Sequence, residues 1–327
     1  MRRPARAGRA RAGVAAAYLG LCVVSGCIEV PEFSSESVVD RPRVLAVVAE
    51  PPEVTPGQGV TLSVLIAGAR ETQVQWRACS PLDAFSSNGQ YGENAGDQTC
   101  GDDAPLAFGQ RVSVPAELTQ RFFGDDEQLR MRLGTSLPGF ELDEIRATVG
   151  MTFTVEAEVI ADGKRLRAQK RVLLRDTDDP HRNPPVPAFT LADRAVQGDK
   201  VDSLSFACQA ADGGAVVEVQ PGAEVKLAPS FEGAEEPWLE RYTVLDASGT
   251  AIHRAERAFY TWFVTAGTLD KGTTRSPTRD NVWTAPSTPG CAAVWLVVRD
   301  GHGGESACGM PVSVGTTEPC ELGSAGP

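Results

Sequence analysis

The feature that most constrains what this chain can fold into is a turn that it spells twice. Glu53-Val54-Thr55-Pro56-Gly57-Gln58-Gly59-Val60-Thr61-Leu62 recurs as Glu218-Val219-Gln220-Pro221-Gly222-Ala223-Glu224-Val225-Lys226-Leu227, so that both read E-V-x-P-G-x-x-V-x-L. The proline sets φ near about −65° at the first corner, and the glycine supplies the positive φ that a type II turn requires at the second. The alternating residues beyond then enter a half-buried strand. Each copy is followed by a tryptophan in a strand-like segment, Trp76 in Val74-Gln75-Trp76 and Trp262 in Tyr260-Thr261-Trp262-Phe263. Each half also predicts a closing hairpin on Asp-Gly: Asp162-Gly163 after Val155 to Ile160, and Asp300-Gly301 after Val294 to Val298.

Turn, strand, tryptophan strand and closing hairpin, repeated in order, is the layout of an immunoglobulin-like sandwich, in which the tryptophan packs between two sheets. An aromatic content of 6%, with 33 glycines and 23 prolines, favours short strands and turns over helix bundles. The expected fold class is therefore all-β, two tandem immunoglobulin-like β-sandwich modules. The second module, Val294-Trp295-Leu296-Val297-Val298-Arg299-Asp300-Gly301-His302-Gly303-Gly304 with Trp283-Thr284-Ala285-Pro286 before it, resembles the Ig-like and PKD-like modules of lipoproteins from high-GC Gram-negative bacteria. That resemblance implies a location and an architecture; it says almost nothing about a ligand. Pro115 to Phe123 reads as one short helix, with proline at its start and Gly124 just past its end.

The modules sit behind a leader. Five arginines (Arg2, Arg3, Arg6, Arg9, Arg11) precede an apolar stretch from Val14 to Val24 that ends in small residues before Cys27, the three-part layout of a secretion signal. The stretch is about half of the roughly 20 apolar residues a membrane span needs, so it reads as cleaved. Val24-Ser25-Gly26-Cys27 resembles the lipobox of bacterial lipoproteins, which makes Cys27 the expected site of lipidation and predicts anchoring by acyl chains such as palmitate. Ile28 follows the cysteine where an aspartate often signals retention at the inner membrane, which points to the outer membrane. The expected division is a signal peptide over 1–26, a lipidated tether over 27–42, module 1 over 43–176 and a linker over 177–187. Module 2 then covers 188–316, with a C-terminal tail over 317–327.

Charge and cysteines narrow the function classes. Losing the five leader arginines moves the formal charge from −12 to −17, and such an acidic surface repels nucleic acid. The expected partners are the membrane, through the lipid, and an envelope protein or polysaccharide. Beyond Cys22 in the leader and Cys27, six cysteines remain: Cys79, Cys100, Cys208, Cys291, Cys308 and Cys320. An even number fits disulfides in an oxidising compartment, and no C-x₂-C spacing supports zinc. Cys79 and Cys100 would pin an insertion rich in Asn, Gly, Ser and Asp. In module 2 the return of the last hairpin favours Cys291 with Cys320 and Cys208 with Cys308; pairing of Cys291 with Cys308 stays open.

Sites for chemistry are sparse. G-x-S-x-G, S-x-x-K, H-E-x-x-H and phosphate-cradling glycine loops are all absent from the sequence. His253 with Glu256 and His302 with Glu305 share an H-x-x-E spacing that arises easily by chance. Asp176, Asp178 and Asp179, before the proline-rich joint, are weak candidates for Ca²⁺, which takes about six to eight oxygens. Trp238, Tyr242 and Trp283 would form the aromatic platform of a sugar-binding protein if exposed. The leading expectation is a non-enzymatic, lipid-anchored envelope protein that binds, spaces or assembles. A surface-anchored hydrolase or carbohydrate-binding accessory protein and a calcium-stiffened adhesin stalk are the alternatives.

Overall fold

The computed structural model describes residues 36–79, 106–124, 142–199, 202, 204–213, 216–230, 238–245, 250–316 and 320–322. Module 1 contains β1 (Arg43–Glu50), β2 (Glu53–Val54), β3 (Val60–Ala67), β4 (Thr72–Cys79), β5 (Ala107–Phe108), β6 (Arg111–Val114), α1 (Ala116–Gly124), α2 (Leu142–Thr148), β7 (Met151–Ala161) and β8 (Lys164–Leu174). Module 2 begins with β9 (Ala188–Leu191), β10 (Arg194–Gly198), β11 (Cys208–Ala210), β12 (Val217–Val219), β13 (Glu224–Pro229), β14 (Arg241–Leu245) and β15 (Ala251–Ala255). It continues with β16 (Phe259–Val264), β17 (Thr268–Leu269), β18 (Thr273–Arg275), β19 (Asn281–Thr284), β20 (Gly290–Arg299) and β21 (Glu305–Val314).

The two modules follow one plan. In module 1 the sheets run β1-β3-β6 and β2-β8-β7-β4-β5; in module 2 their counterparts are β9-β13-β19 and β12-β21-β20-β16-β18. Module 2 extends its first sheet with β10, β11 and β17 and adds a separate β14-β15 hairpin. The repeated E-V-x-P-G segment plays the same part in both. Its Glu-Val forms a two- or three-residue strand parallel to the last strand of its module, β2 on β8 and β12 on β21. The chain then turns, with Gln58 N–H donating to Thr55 O and Ala223 N–H to Gln220 O, while Gly57 and Gly222 take φ of 82° and 72°. Trp76 and Trp262 lie at equivalent places on β4 and β16 and are fully buried between the sheets. These are immunoglobulin-like sandwiches, as the repeat predicts.

Locally the turns and caps follow their residues. Asp162 and Gly163 carry φ of 47° and 77° and close β7 onto β8 in a two-residue hairpin. The second hairpin differs from expectation: Arg299 pairs with Glu305, so Asp300–Gly304 form a five-residue loop. The expected helix is present as α1, with Phe122 packed on Phe153 in the module core. Cys208 is bonded to Cys308, tying β11 in one sheet to β21 in the other, and Cys291 is bonded to Cys320.

Contacts between the modules engage three segments that sequence reads as free. Residues 36–42, expected in the tether, are engaged: Ser37 O accepts from Val264 N–H and Val39 N–H donates to Val264 O, clipping the chain to an edge of β16 in module 2 before it enters module 1. In the expected linker, His181 is buried and Asn183 bonds to Ala49 O and Glu305 N–H. In the expected tail, Cys320 is held by its disulfide and Leu322 packs against the seam between modules.

That seam is a third hydrophobic core. Leu45, Ala46 and Val48 of β1 and Leu65 and Ala67 of β3 meet Ala293, Trp295 and Val297 of β20, Ala307 of β21, and Leu204 and Phe206. The intervening residues Val47 and Ala49, and Ala292, Val294, Leu296 and Val298, face inward to the two module cores. Strands buried on both faces read as uninterrupted apolar runs. Gly309, opposite Trp295 in the β20-β21 pair, makes the packing possible: a Cβ there would lie 2.2 Å from the indole.

Candidate functional site

Polar groups close the joint beside the seam, and they centre on a linker histidine. His181 is 4% exposed. Its backbone N–H donates to Glu53 Oε2 at 2.9 Å, its Nε2 lies 3.0 Å from Asp300 Oδ2, and its Nδ1 lies 2.9 Å from Glu240 Oε2 and 3.2 Å from Glu256 Oε1. Glu53 opens β2 in module 1 and is held by Arg175, whose Nη2 donates to Oε2 at 3.0 Å and whose Nε contacts Oε1. The matching glutamate of the repeat, Glu218, is exposed, so the motif's acid is used at the joint only in module 1.

Each partner is positioned by local structure. Asp300 begins the β20-β21 loop, where its Oδ1 accepts from His302 N–H at 2.7 Å and Gly304 N–H at 3.0 Å. A Cβ at Gly304 would lie 1.8 Å from Asp300 Oδ2, so only glycine fits. Glu240 and Glu256 flank the open end of the β14-β15 hairpin; Glu256 N–H donates to Glu240 O, and Glu240 N–H donates to Glu256 Oε2 at 2.8 Å. His302 stacks on Tyr242 of β14, with ring centroids 3.8 Å apart and planes 14° apart, and its Nδ1 reaches within 3.5 Å of Glu256 Oε1.

The electrostatics follow from this crowding of carboxylates. Burial pushes the His181 imidazole down, but its hydrogen bonds to Asp300 and Glu240 and the charges of Asp300 and Glu256 outweigh it and raise the pKa from 6.5 to about 9. In the metal-free chain both ring nitrogens then donate to acids that can only accept. Glu256 Oε1 and His302 Nδ1 are buried and make no hydrogen bond. A groove of about 460 Å³, lined by Tyr242, Arg254, Arg257, Phe259 and Asp300, opens alongside.

A second buried ionic contact spans the modules. Lys170 of β8 lies 3.3 Å from Glu305 of β21, with side chains 9% and 7% exposed. Arg299 approaches the same carboxylate at 2.5 Å and donates to Leu45 O at 3.1 Å.

Two sequence expectations, the H-x-x-E pairs and the aromatic platform, are corrected here. The two H-x-x-E pairs do not act as pairs: His253 is exposed and bonds Thr243, and Glu305 turns to Lys170 and Arg299. Glu256 and His302 meet across elements instead, joined by His181 from the linker. The aromatic platform does not exist, because Trp283 is fully buried with its indole N–H donated to Ala266 O, Trp238 packs against the module 2 core and Tyr242 lies on His302. Asp176, Asp178 and Asp179 are exposed; Asp179 N–H donates to Thr177 Oγ1 and its carboxylate lies 3.7 Å from the exposed Arg182. Among the described residues, the group of three or more potential ligands that converges is His181, Glu256 and His302. Cys79 is disulfide-bonded, whereas Cys100, Cys27 and the lipobox residues Val24, Ser25 and Gly26 lie outside the described residues.

No protein-family model matches this chain, and no curated protein matches it. Among solved structures, the D00-D0 domain of Intimin aligns over 83% of this chain and 98% of its own, at 8% identity and a TM-score of 0.21. The two tandem V-type regions of VCBP3, a v-region-containing chitin binding protein, align over 83% of this chain and all 100% of theirs, at 13% identity and a TM-score of 0.23. The Bacteroides ovatus SGBP-B, solved with a mixed-linkage heptasaccharide, aligns over 85% of this chain and 48% of its own, at 13% identity and a TM-score of 0.19. No functional reading follows from likenesses this slight.

Proposed function

We propose that this chain is a lipid-anchored, non-enzymatic protein of a bacterial cell envelope, in which two immunoglobulin-like modules act as one stiff body that binds or spaces partners. The observation that carries the reading is the sealed joint. An apolar seam, the Lys170–Glu305 contact and the His181 cluster fix one module against the other, which suits a spacer or binding scaffold. The site residues support this over catalysis: a buried imidazole amid carboxylates has no nucleophile beside it among the described residues, and its partners hold backbone in place.

In this reading, acyl chains on Cys27 hold the body to the outer membrane. Metabolic labelling with a fatty-acid probe, followed by membrane fractionation, tests the anchor. Label and membrane association that both disappear in Cys27→Ala are expected. An unlabelled wild-type chain in the soluble cell interior refutes the reading.

A further inference from the structure

We propose that His181, Glu256 and His302 form a binding site for a divalent transition-metal ion of the zinc class, which staples the joint between the modules. The three potential ligand atoms, His181 Nδ1, Glu256 Oε1 and His302 Nδ1, lie within 4.8 Å of one another. Glu256 Oε1 is 3.2 Å from the first nitrogen and 3.5 Å from the second. Metal–ligand bonds of about 2.0–2.2 Å in a tetrahedron place neighbouring ligand atoms roughly 3.3–3.6 Å apart. The two separations from Glu256 therefore match neighbouring positions of a coordination sphere, and the two imidazole nitrogens lie within 4.8 Å of each other.

A second observation points into the same spot. Glu256, whose side chain is wholly buried, has Oε2 engaged by Glu240 N–H, while its Oε1 makes no hydrogen bond; His302 Nδ1, also buried, makes none either. Buried polar atoms are seldom left without a partner, and a cation between them would satisfy both. The surroundings resemble the outer sphere of a metal site. Asp300 Oδ2 lies against His181 Nε2 at 3.0 Å, the carboxylate–histidine arrangement that fixes the tautomer and directs the other nitrogen's lone pair at a metal. The half-exposed Glu240 lies 2.9 Å from His181 Nδ1, outside the converging set, so water would complete the shell.

The donor set selects the ion. Two imidazole nitrogens with one or two carboxylates suit zinc and its neighbours, while calcium and magnesium take all-oxygen shells. The ligands come from three separate segments: the linker (His181), the end of β15 (Glu256) and the β20-β21 loop (His302). Through the His181 N–H, the same site is tied to Glu53 of module 1.

The test uses the purified full chain, stripped with chelator, dialysed against Zn²⁺ or Ca²⁺, and assayed for bound metal and for its thermal unfolding midpoint. One tightly held Zn²⁺ per chain and a raised midpoint are expected, with no response to Ca²⁺. His302→Ala, at a partly exposed position, and Glu256→Gln are each expected to weaken zinc binding more than about 100-fold, beyond the roughly 10–100-fold seen for outer-sphere changes. The exposed His253→Ala control should bind as wild type. Replacement by Co²⁺ reads geometry without relying on stability: intense tetrahedral absorption bands are expected. Zinc that is not retained, or is held equally well by His302→Ala and wild type, overturns the proposal, as does an equal response to Ca²⁺.

Discussion

Removing either partner of the ion pair between modules should destabilise the protein, but by unequal amounts. Lys170 and Glu305 are each more than nine-tenths buried and 3.3 Å apart. Stripping one partner from a buried pair costs about 3–5 kcal/mol when the other charge is left alone. Glu305→Gln creates that situation, since the described contacts give the Lys170 ammonium no second acid. Lys170→Met does not, because Arg299 remains 2.5 Å from Glu305 and is itself 38% exposed, so it keeps both a partner and water. The loss there is one charge-assisted hydrogen bond, about 1.5–3 kcal/mol. The double variant removes the orphan charge along with its partner and should be more stable than Glu305→Gln alone. Equilibrium urea unfolding followed by tryptophan fluorescence measures all three, and Trp76, Trp262 and Trp295 report from both cores and the seam. If Lys170→Met proves at least as destabilising as Glu305→Gln, or the double variant is worse than either single one, the assignment of Arg299 as the compensating charge is refuted.

Gly309→Val should displace Trp295 from the seam, since even a Cβ would lie 2.2 Å from the indole; a loss of about 1–3 kcal/mol or more and a red-shifted native fluorescence are expected. With chelator present, His181 should make stability fall with rising pH. Its folded-state value is raised above the unfolded one, so its contribution is full below about pH 6.5 and is lost as pH passes about 9, and His181→Gln should flatten that slope in urea midpoints. Of the disulfides, the Cys208–Cys308 bridge closes 100 residues and the Cys291–Cys320 bridge 29. Chain entropy alone gives them about 4.7 and 3.6 kcal/mol, so Cys208→Ser/Cys308→Ser should melt lower than Cys291→Ser/Cys320→Ser.

The repeat made the sandwich plan legible because turn chemistry is local. Pro56-Gly57 and Pro221-Gly222 dictate their corners whatever surrounds them, and Trp76 and Trp262 follow in strands that alternate correctly. The seam was written less plainly, in runs such as Leu45-Ala46-Val47-Val48-Ala49 and Val294-Trp295-Leu296-Val297-Val298, which have no polar face to give to solvent. Such runs mark strands covered on both sides, but they do not name the covering surface. The His181 cluster was invisible for a stronger reason. Its acids come from β2, the two ends of the β14-β15 hairpin and the last loop, so no spacing rule connects them. A search confined to H-x-x-E pairs Glu256 with His253 and Glu305 with His302, and both pairings fail in the fold. The one available hint was His181 itself, an uncommon residue in a chain with three histidines, placed between Pro180 and Pro184 in a segment that otherwise reads as solvated.

The order in which the chain visits the modules bears on whether they are separable. Ser37 to Val39 is bound to β16 of module 2, the chain then builds module 1, and it returns through His181 and Asn183, each of which contacts both modules. Cutting the chain in the linker would leave module 1 with β1 and β3 showing an apolar outer face, and module 2 without the segment that satisfies Val264 N–H and O. Neither product keeps the burial that its continuous apolar strands require. Two modules by sequence are thus expected to behave as one cooperative unit, and the joint is a core that the fold cannot do without.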